Sequence, residues 1–370
     1  MGQTNMSALM GTRFYRLGAL AFRRRWWVLA AWVVIFAAMM GPLQKISDRL
    51  SQGGFEVPGS QSNAVKLAIE SDFSGLTDIT DLLVLRSESA AATDPAFRAT
   101  FERIRDRLVL APGVAFVSDP YQAPERSISR DGRVLTAVVG IKGDQDQALA
   151  NNPAVEKAVQ IGAAGGAGIK AYITGAPPFY KAFEDTTLED LERAEKVAFP
   201  VSLFILVIAF GSIVAAGVPL LLALLGLAVA FGIISIIAAT ATVSTFAQNI
   251  ASMIGIGVGI DYSLFILTRF REQLKEGRSV SQAVAEAMAS SGKAVFVSAM
   301  TVVVALAGTQ LVDIAGFRSM GFSSMVAVGV AGAAALTLLP ALLGLLGPRV
   351  DKWSVRKNKT SESRTWHRIA

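Results

Sequence analysis

Long uncharged apolar runs, interrupted by one stretch of ordinary polar composition, predict an α-helical membrane protein carrying an α+β domain. From Val197 to Thr268 the only formal charge is Asp261. A helix needs about 20 apolar residues to cross about 30 Å of hydrocarbon, so this block has room for three crossings. Gly217 and Pro219 mark its first break, and the polar run Thr242, Ser244, Thr245, Gln248, Asn249 marks the second. The predicted spans are 197–217, 218–239 and 249–270. Uncharged stretches over 294–312 and 319–347, separated by Asp313 and Arg318, add two more. A sixth, 26–43, stands alone behind Arg23, Arg24 and Arg25. It is longer than the apolar core of a secretory signal and ends in Met39-Met40-Gly41-Pro42 rather than a small-x-small cleavage site, so it reads as a span.

The polar stretch, residues 44–195, is punctuated like a small globular domain. Asp81–Arg86 reads as a strand. Pro95–Leu110 reads as a helix, with Phe97, Phe101, Ile104 and Leu108 on one face and Asp94 as its cap. Strands over 113–118 and 133–141 flank a turn-rich loop with Pro124 and Asp131-Gly132. A helix from Asn152-Pro153 to about Gly162 and a strand over 169–174 complete the order β-α-β-β-α-β, the ferredoxin-like split pattern. From Pro178 a further helix runs into the second span. Its Phe179, Tyr180 and Phe183 are candidates for substrate contact or for coupling domain movement to the bundle; the plain alternative is that they pack on the sheet.

Composition agrees with this division. The chain of 370 residues is 52% hydrophobic and 17% charged, with a mean hydropathy of +0.47, outside the soluble globular class. Its net charge of +6 would fit a nucleic-acid partner only if the excess were gathered on a soluble surface. Instead, residues 44–195 hold 16 basic and 22 acidic residues, whereas the segment before Trp26, the loop after Arg269 and the tail after Pro348 together carry a net +12. The positive-inside rule makes these three pieces cytoplasmic, against anionic lipid headgroups, and places 44–195 outside. The predicted organisation is therefore a basic N-terminal segment 1–25, a first span 26–43, an external domain 44–195, a five-helix bundle 196–347 and a basic tail 348–370. No nucleic-acid partner is expected. There is no cysteine and a single histidine, His367, so disulfides, thiol nucleophiles, Cys/His zinc sites and histidine triads are excluded.

Asp261 is the residue that asks for a function. It lies just past the middle of its span, in Gly255-Ile-Gly257-Val-Gly259-Ile-Asp261-Tyr262-Ser263. A carboxylate at a helix centre costs about 2.5–3.5 kcal/mol even on the lowest scales, so the side chain is expected to face the bundle interior. Desolvation favours the neutral form of a carboxyl, which suits it to take up and release a proton. Tyr262 follows it, and Ser298 and Thr301 share a face of the next span, so that hydroxyls flank the carboxyl as a proton relay requires. The plain alternative is a protonated aspartate tying two helices together. Gly255, Gly257 and Gly259 have no strand before them and read as a smooth helix-packing face, not a phosphate loop. Gly292-Lys293 lacks the rest of a nucleotide-binding loop, which leaves an ion gradient as the source of work. No metal cluster, nucleophile-base set or cofactor site is visible, so an enzyme is not expected.

These motifs together resemble the MMPL family of transporters in the resistance-nodulation-division superfamily. The resemblance rests on the Gly-Val-Gly259-Ile-Asp261-Tyr262 segment with its Arg269-Phe-Arg271-Glu272 exit, on Val297-Ser298-Ala-Met-Thr301, and on Leu336-Thr-Leu-Leu-Pro340-Ala-Leu342. It implies proton-driven export of lipids, glycolipids or hydrophobic drugs across a bacterial inner membrane. The Asp-Tyr pair would be the proton site, the external domain a porter domain, and the second to sixth spans a unit like the sterol-sensing domain. Members of this family usually carry two such halves, and this sequence has one. Arg364-Thr-Trp-His-Arg368 resembles the opening Arg13-Phe-Tyr-Arg16, as though a second repeat were beginning, so the expected partner is a second half or another copy of the chain. The rival expectation is a lipid sensor or scaffold that transports nothing.

Overall fold

The computed structural model describes residues 13–55, 57–72, 77, 79–166 and 168–353. The tail segment resembling the opening lies outside the described residues. Two compact units divide the chain, Ser51–Leu191 and the remainder.

In the first unit, helix α3 (Gln61–Asp72) precedes strand β1 (Ile79–Ser87), α4 (Pro95–Val109), β2 (Val114–Val117), the short α5 (Pro124–Ser127), β3 (Val134–Ile141), α6 (Gln145–Ala163) and β4 (Ile169–Gly175). The strands form one antiparallel sheet in the order β2-β3-β1-β4, with Leu83 opposite both Ala137 and Ile173. Alternation places Leu83 and Leu85 of β1 with Leu135, Ala137, Val139 and Ile141 of β3 on one face. There they are buried with Phe97, Phe101, Ile104 and Leu108 of α4 and with Val155 and Val159 of α6. Each of the larger of these side chains contributes about 1.5–3 kcal/mol when buried. The expected start of α6 at Asn152-Pro153 is too late. The Asp144 carboxylate accepts from the Gln147 amide and starts the helix there, so Pro153 stands inside it.

The second unit opens with α1 (Arg13–Arg23) and α2 (Arg25–Gln44). Helix α7 (Ala176–Phe210) contains the division between the units. After it come α8 (Ile213–Ala238), α9 (Thr245–Lys275), α10 (Val280–Ala287), a π turn (Met288–Gly292), α11 (Lys293–Ala307), α12 (Ala315–Ala333), a second π turn (Ala334–Leu338) and α13 (Leu339–Leu346). The first break falls at Gly211-Ser212, not at Gly217 and Pro219. Gly211 adopts φ +65° and the Ser212 hydroxyl accepts from the Ala215 amide, while Pro219 is carried within α8. The second π turn lies just before Pro340, where the missing amide and the bulky ring disturb the helical ladder.

Among the described residues, five helical runs are long and apolar enough to cross a membrane: Arg25–Gln44, Ile213–Ala238, Thr245–Lys275, Val280–Leu311 and Ala315–Asp351. The remaining expected span falls at the end of α7. Its uncharged part, 197–210, measures about 21 Å at 1.5 Å per residue, below the thickness of the hydrocarbon core.

Candidate functional site

Helix α9 carries Asp261. It starts at Ser244, whose hydroxyl accepts from the Phe246 amide, and it packs against α8 and α12 through small residues. A Cβ on Gly259 would lie 3.2 Å from the Cα of Ala223, and one on Gly255 would lie 3.3 Å from the Cβ of Ala327. At Gly257 nothing lies within 4 Å, so the expectation of a three-glycine packing face holds for only two positions, one helical turn apart. Gly259→Leu is expected to cost about 1–3 kcal/mol through overpacking, with Gly257→Leu leaving this chain's helix packing intact. Thermal midpoints of the two variants in detergent, read by size-exclusion chromatography, check the contrast.

The same arrangement decides where Asp261 points. Tyr262 and Ile266 are buried among Val218, Leu222 and Val328. Asp261, about 100° further round the helix, is exposed in line with Met253, Gly257 and Phe265. The expectation that it faces the interior of this chain's own bundle is therefore not met, because α8 and α12 occupy the other faces of α9. Among the described residues Asp261 makes no hydrogen bond or ion pair. The Tyr262 hydroxyl is buried without a hydrogen-bond partner among the described residues. An uncompensated carboxyl and an unpaired hydroxyl thus stand on adjacent residues, both able to exchange hydrogen bonds with a newcomer.

Ser298 and Thr301 lie on α11, which packs against α12. Both are exposed, and the Thr301 hydroxyl donates to the Val297 carbonyl at 2.9 Å. No hydrogen bond joins Ser298 or Thr301 to Asp261 or Tyr262 among the described residues.

Two further features escaped the sequence reading. At the end of α9, Arg271 donates from Nε to the Asp351 carboxylate at 2.7 Å and from a terminal nitrogen to the Phe210 carbonyl at 2.9 Å, with its guanidinium over the Phe210 ring. The Ser212 hydroxyl lies 2.9 Å from the carbonyl oxygens of Val350 and Lys352. These contacts tie the ends of α7 and α9 to the segment after α13. Arg271→Met is expected to cost about 1–3 kcal/mol by stranding these acceptors, as read by the thermal midpoint in detergent.

The second feature is in the α+β unit. Asp81, on the helix-covered face of β1, is 2% exposed, and its Oδ1 has no hydrogen-bond partner among the described residues. Burial, reinforced by the neighbouring Glu156, pushes its pKa up to about 7. Asn152 is equally buried; it donates to Glu156 at 2.8 Å while its own oxygen has no partner. By contrast, Phe179 and Phe183 do not pack on the sheet. They remain exposed at the start of α7, Phe183 stacked on Phe179 and the half-buried Tyr180 edge-on to it.

Helical runs of membrane-spanning length, packed through small residues around a helix whose apolar stretch holds the single carboxyl of Asp261, define a polytopic helical membrane protein. The chain belongs to the MMPL family, whose description matches residues 58–370. It is 34% identical over 96% of its length to putative membrane protein SCO6666 of Streptomyces coelicolor, covering 49% of that protein. It is 32% identical over 95% of its length to the mycolic acid-containing lipids exporter MmpL11 of Mycolicibacterium smegmatis, covering 38% of it. It is 31% identical over 95% of its length to the heme uptake protein MmpL11 of Mycobacterium tuberculosis H37Rv, covering 37% of it. The chain thus spans between about a third and a half of the length of these relatives.

Proposed function

We propose that the chain forms one half of a proton-driven secondary transporter that exports lipids, glycolipids or other hydrophobic compounds across a bacterial inner membrane. The observation that carries this reading is Asp261: a carboxyl in the middle of an apolar helix, on a face the described residues leave open, beside a Tyr262 hydroxyl that has no hydrogen-bond partner among them. Left against hydrocarbon it would cost about 2.5–3.5 kcal/mol, so a second half or a second copy covers that face and completes the proton path. Ser298 and Thr301 join the relay through water or through that partner. A proton gradient is the energy source, with no cofactor, metal or enzymatic step.

The end of α7 acts as the sixth span, its length made up by Arg193 and Lys196 reaching along their stems to the interface. Both termini are cytoplasmic, and residues 44–195 form an external porter domain of ferredoxin-like type, a reading supported by the β2-β3-β1-β4 order with α4 and α6 on one face. Phe179, Tyr180 and Phe183 are its candidates for substrate contact. An exporter name and a heme-uptake name among the relatives put both mycolic-type lipids and heme on the test panel.

The test is reconstitution of the 370-residue chain beside a version extended through the downstream reading frame, with an imposed proton gradient and labelled lipids or heme inside the vesicles. Gradient-dependent movement by either protein supports the reading. No movement of any panel member by either protein contradicts it.

A further inference from the structure

Helix α2 carries an apolar stripe at helical spacing, Leu29, Trp32, Val33 and Phe36, which lines a cleft of about 140 Å³ closed by Leu225 of α8 and Leu342 of α13. The one polar group on the stripe is already satisfied, because the Trp32 indole N–H donates to the Thr337 hydroxyl at 3.0 Å. The cleft therefore asks for an apolar occupant. Val33 is 66% exposed, so the cleft opens sideways on the lipid-facing surface of the helix.

Arg25 stands one turn before Leu29 on the same face of α2. A Cβ added to Gly344, two residues beyond Leu342, would lie 3.7 Å from the Arg25 Cδ, which puts the arginine at the end of the cleft. Its guanidinium lies over the Phe22 ring, with one terminal nitrogen reaching the Phe22 carbonyl at 3.5 Å, while among the described residues the other terminal nitrogen makes no hydrogen bond. A guanidinium held in place by a ring, with donors left over, is suited to an anionic oxygen. Arg23 and Arg24 are exposed beside it, and the flanking Trp26 and Trp27 are exposed aromatics of the kind that settle at headgroup level. Arg25 and Phe36 are about 16 Å apart along the helix, a distance that a phospholipid spans between its phosphate and the middle of its acyl chain.

The geometry assigns this site to one anionic phospholipid, its phosphate on the Arg25 guanidinium and one acyl chain in the cleft along Leu29–Phe36. The acid-free arginine cluster selects the headgroup charge, and the all-apolar lining excludes a polar ligand from the cleft. The site does not depend on transport or on Asp261.

The test uses Trp32 as its reporter, with Trp26, Trp27, Trp353 and Trp366 replaced by phenylalanine. The protein is reconstituted into phosphatidylcholine vesicles containing increasing fractions of phosphatidylglycerol brominated in its acyl chain, or of equally brominated phosphatidylcholine. Half-maximal quenching is expected at a several-fold lower fraction of the anionic lipid, with the preference lost in Arg25→Gln and retained in Arg25→Lys. Equal quenching by the two lipids in the parent would overturn the assignment, as would a preference that survives Arg25→Gln.

Discussion

Asp261→Asn is expected to reduce proton-coupled transport to the level of protein-free vesicles while the protein still inserts and purifies as the parent does. Asparagine keeps the volume and polarity of the side chain and removes only its ability to gain and lose a proton. Because Asp261 makes no hydrogen bond or ion pair among the described residues, no contact within this chain is lost with the charge. A thermal midpoint and chromatographic profile equal to the parent's would separate loss of coupling from loss of structure. Asp261→Glu, which restores a titrating group one methylene further out, is expected to recover part of the activity. Tyr262→Phe removes a buried hydroxyl that has no hydrogen-bond partner among the described residues, so a loss of transport at an unchanged thermal midpoint would come from the relay and not from folding. Transport by Asp261→Asn at the parent's rate would remove the relay.

The α+β unit should lose stability as pH rises from about 4 to about 7. The folded-state pKa of Asp81 is raised above the value of 3.8 it has when unfolded, so the folded unit holds its proton over that interval while the unfolded chain releases it. The penalty for ionising the buried carboxyl is absent below about pH 4, grows through the interval and is complete above about pH 7. With about 1.4 kcal/mol per unit, and part of it screened by solvent, it reaches a few kcal/mol. Asp81→Asn should flatten the dependence and make the unit more stable than the parent at pH 8. Hydrogen exchange of the β1 and β4 amides in the whole protein, corrected for intrinsic rates at pH 5 and pH 8, gives the measurement. A dependence unchanged by the substitution would assign it to another group.

Much of this architecture was legible because its signals are local. The 4-3-4 spacing of Phe97, Phe101, Ile104 and Leu108 predicts α4 to within a residue of its observed end, since one buried face imposes that period. The strands were equally readable from their alternation. Helix ends were harder. Gly217 and Pro219 look like a break, yet the chain turns at Gly211-Ser212, where a left-handed residue and a capping hydroxyl occur together. At α6 the cap at Asp144 outweighs the proline that follows nine residues later.

The site was legible in its residues and not in its direction. The lone charge in an apolar block singles out Asp261, but which side of α9 is covered depends on where Ala223 and Ala327 meet Gly259 and Gly255, and that is a matter of tertiary packing. The Asp81 and Arg25 features were hidden for the same reason. Neither stands out among ordinary acids and arginines until the neighbouring strand, helix and aromatic ring withdraw it from water. Phe179 and Phe183 show the reverse case, in which large apolar residues that could equally have packed on the sheet stay exposed, and the sequence alone did not separate the two.

Proton coupling through Asp261 is tested most directly by letting the substrate drive the proton. The chain, reconstituted with the proposed covering half, is placed in vesicles containing a pH-sensitive dye, with no initial pH gradient and a panel lipid on one side only. Coupling predicts a proton flux opposite in direction to the lipid flux, in a fixed ratio to it, and absent in Asp261→Asn. Lipid movement in the parent with no accompanying proton flux would contradict it.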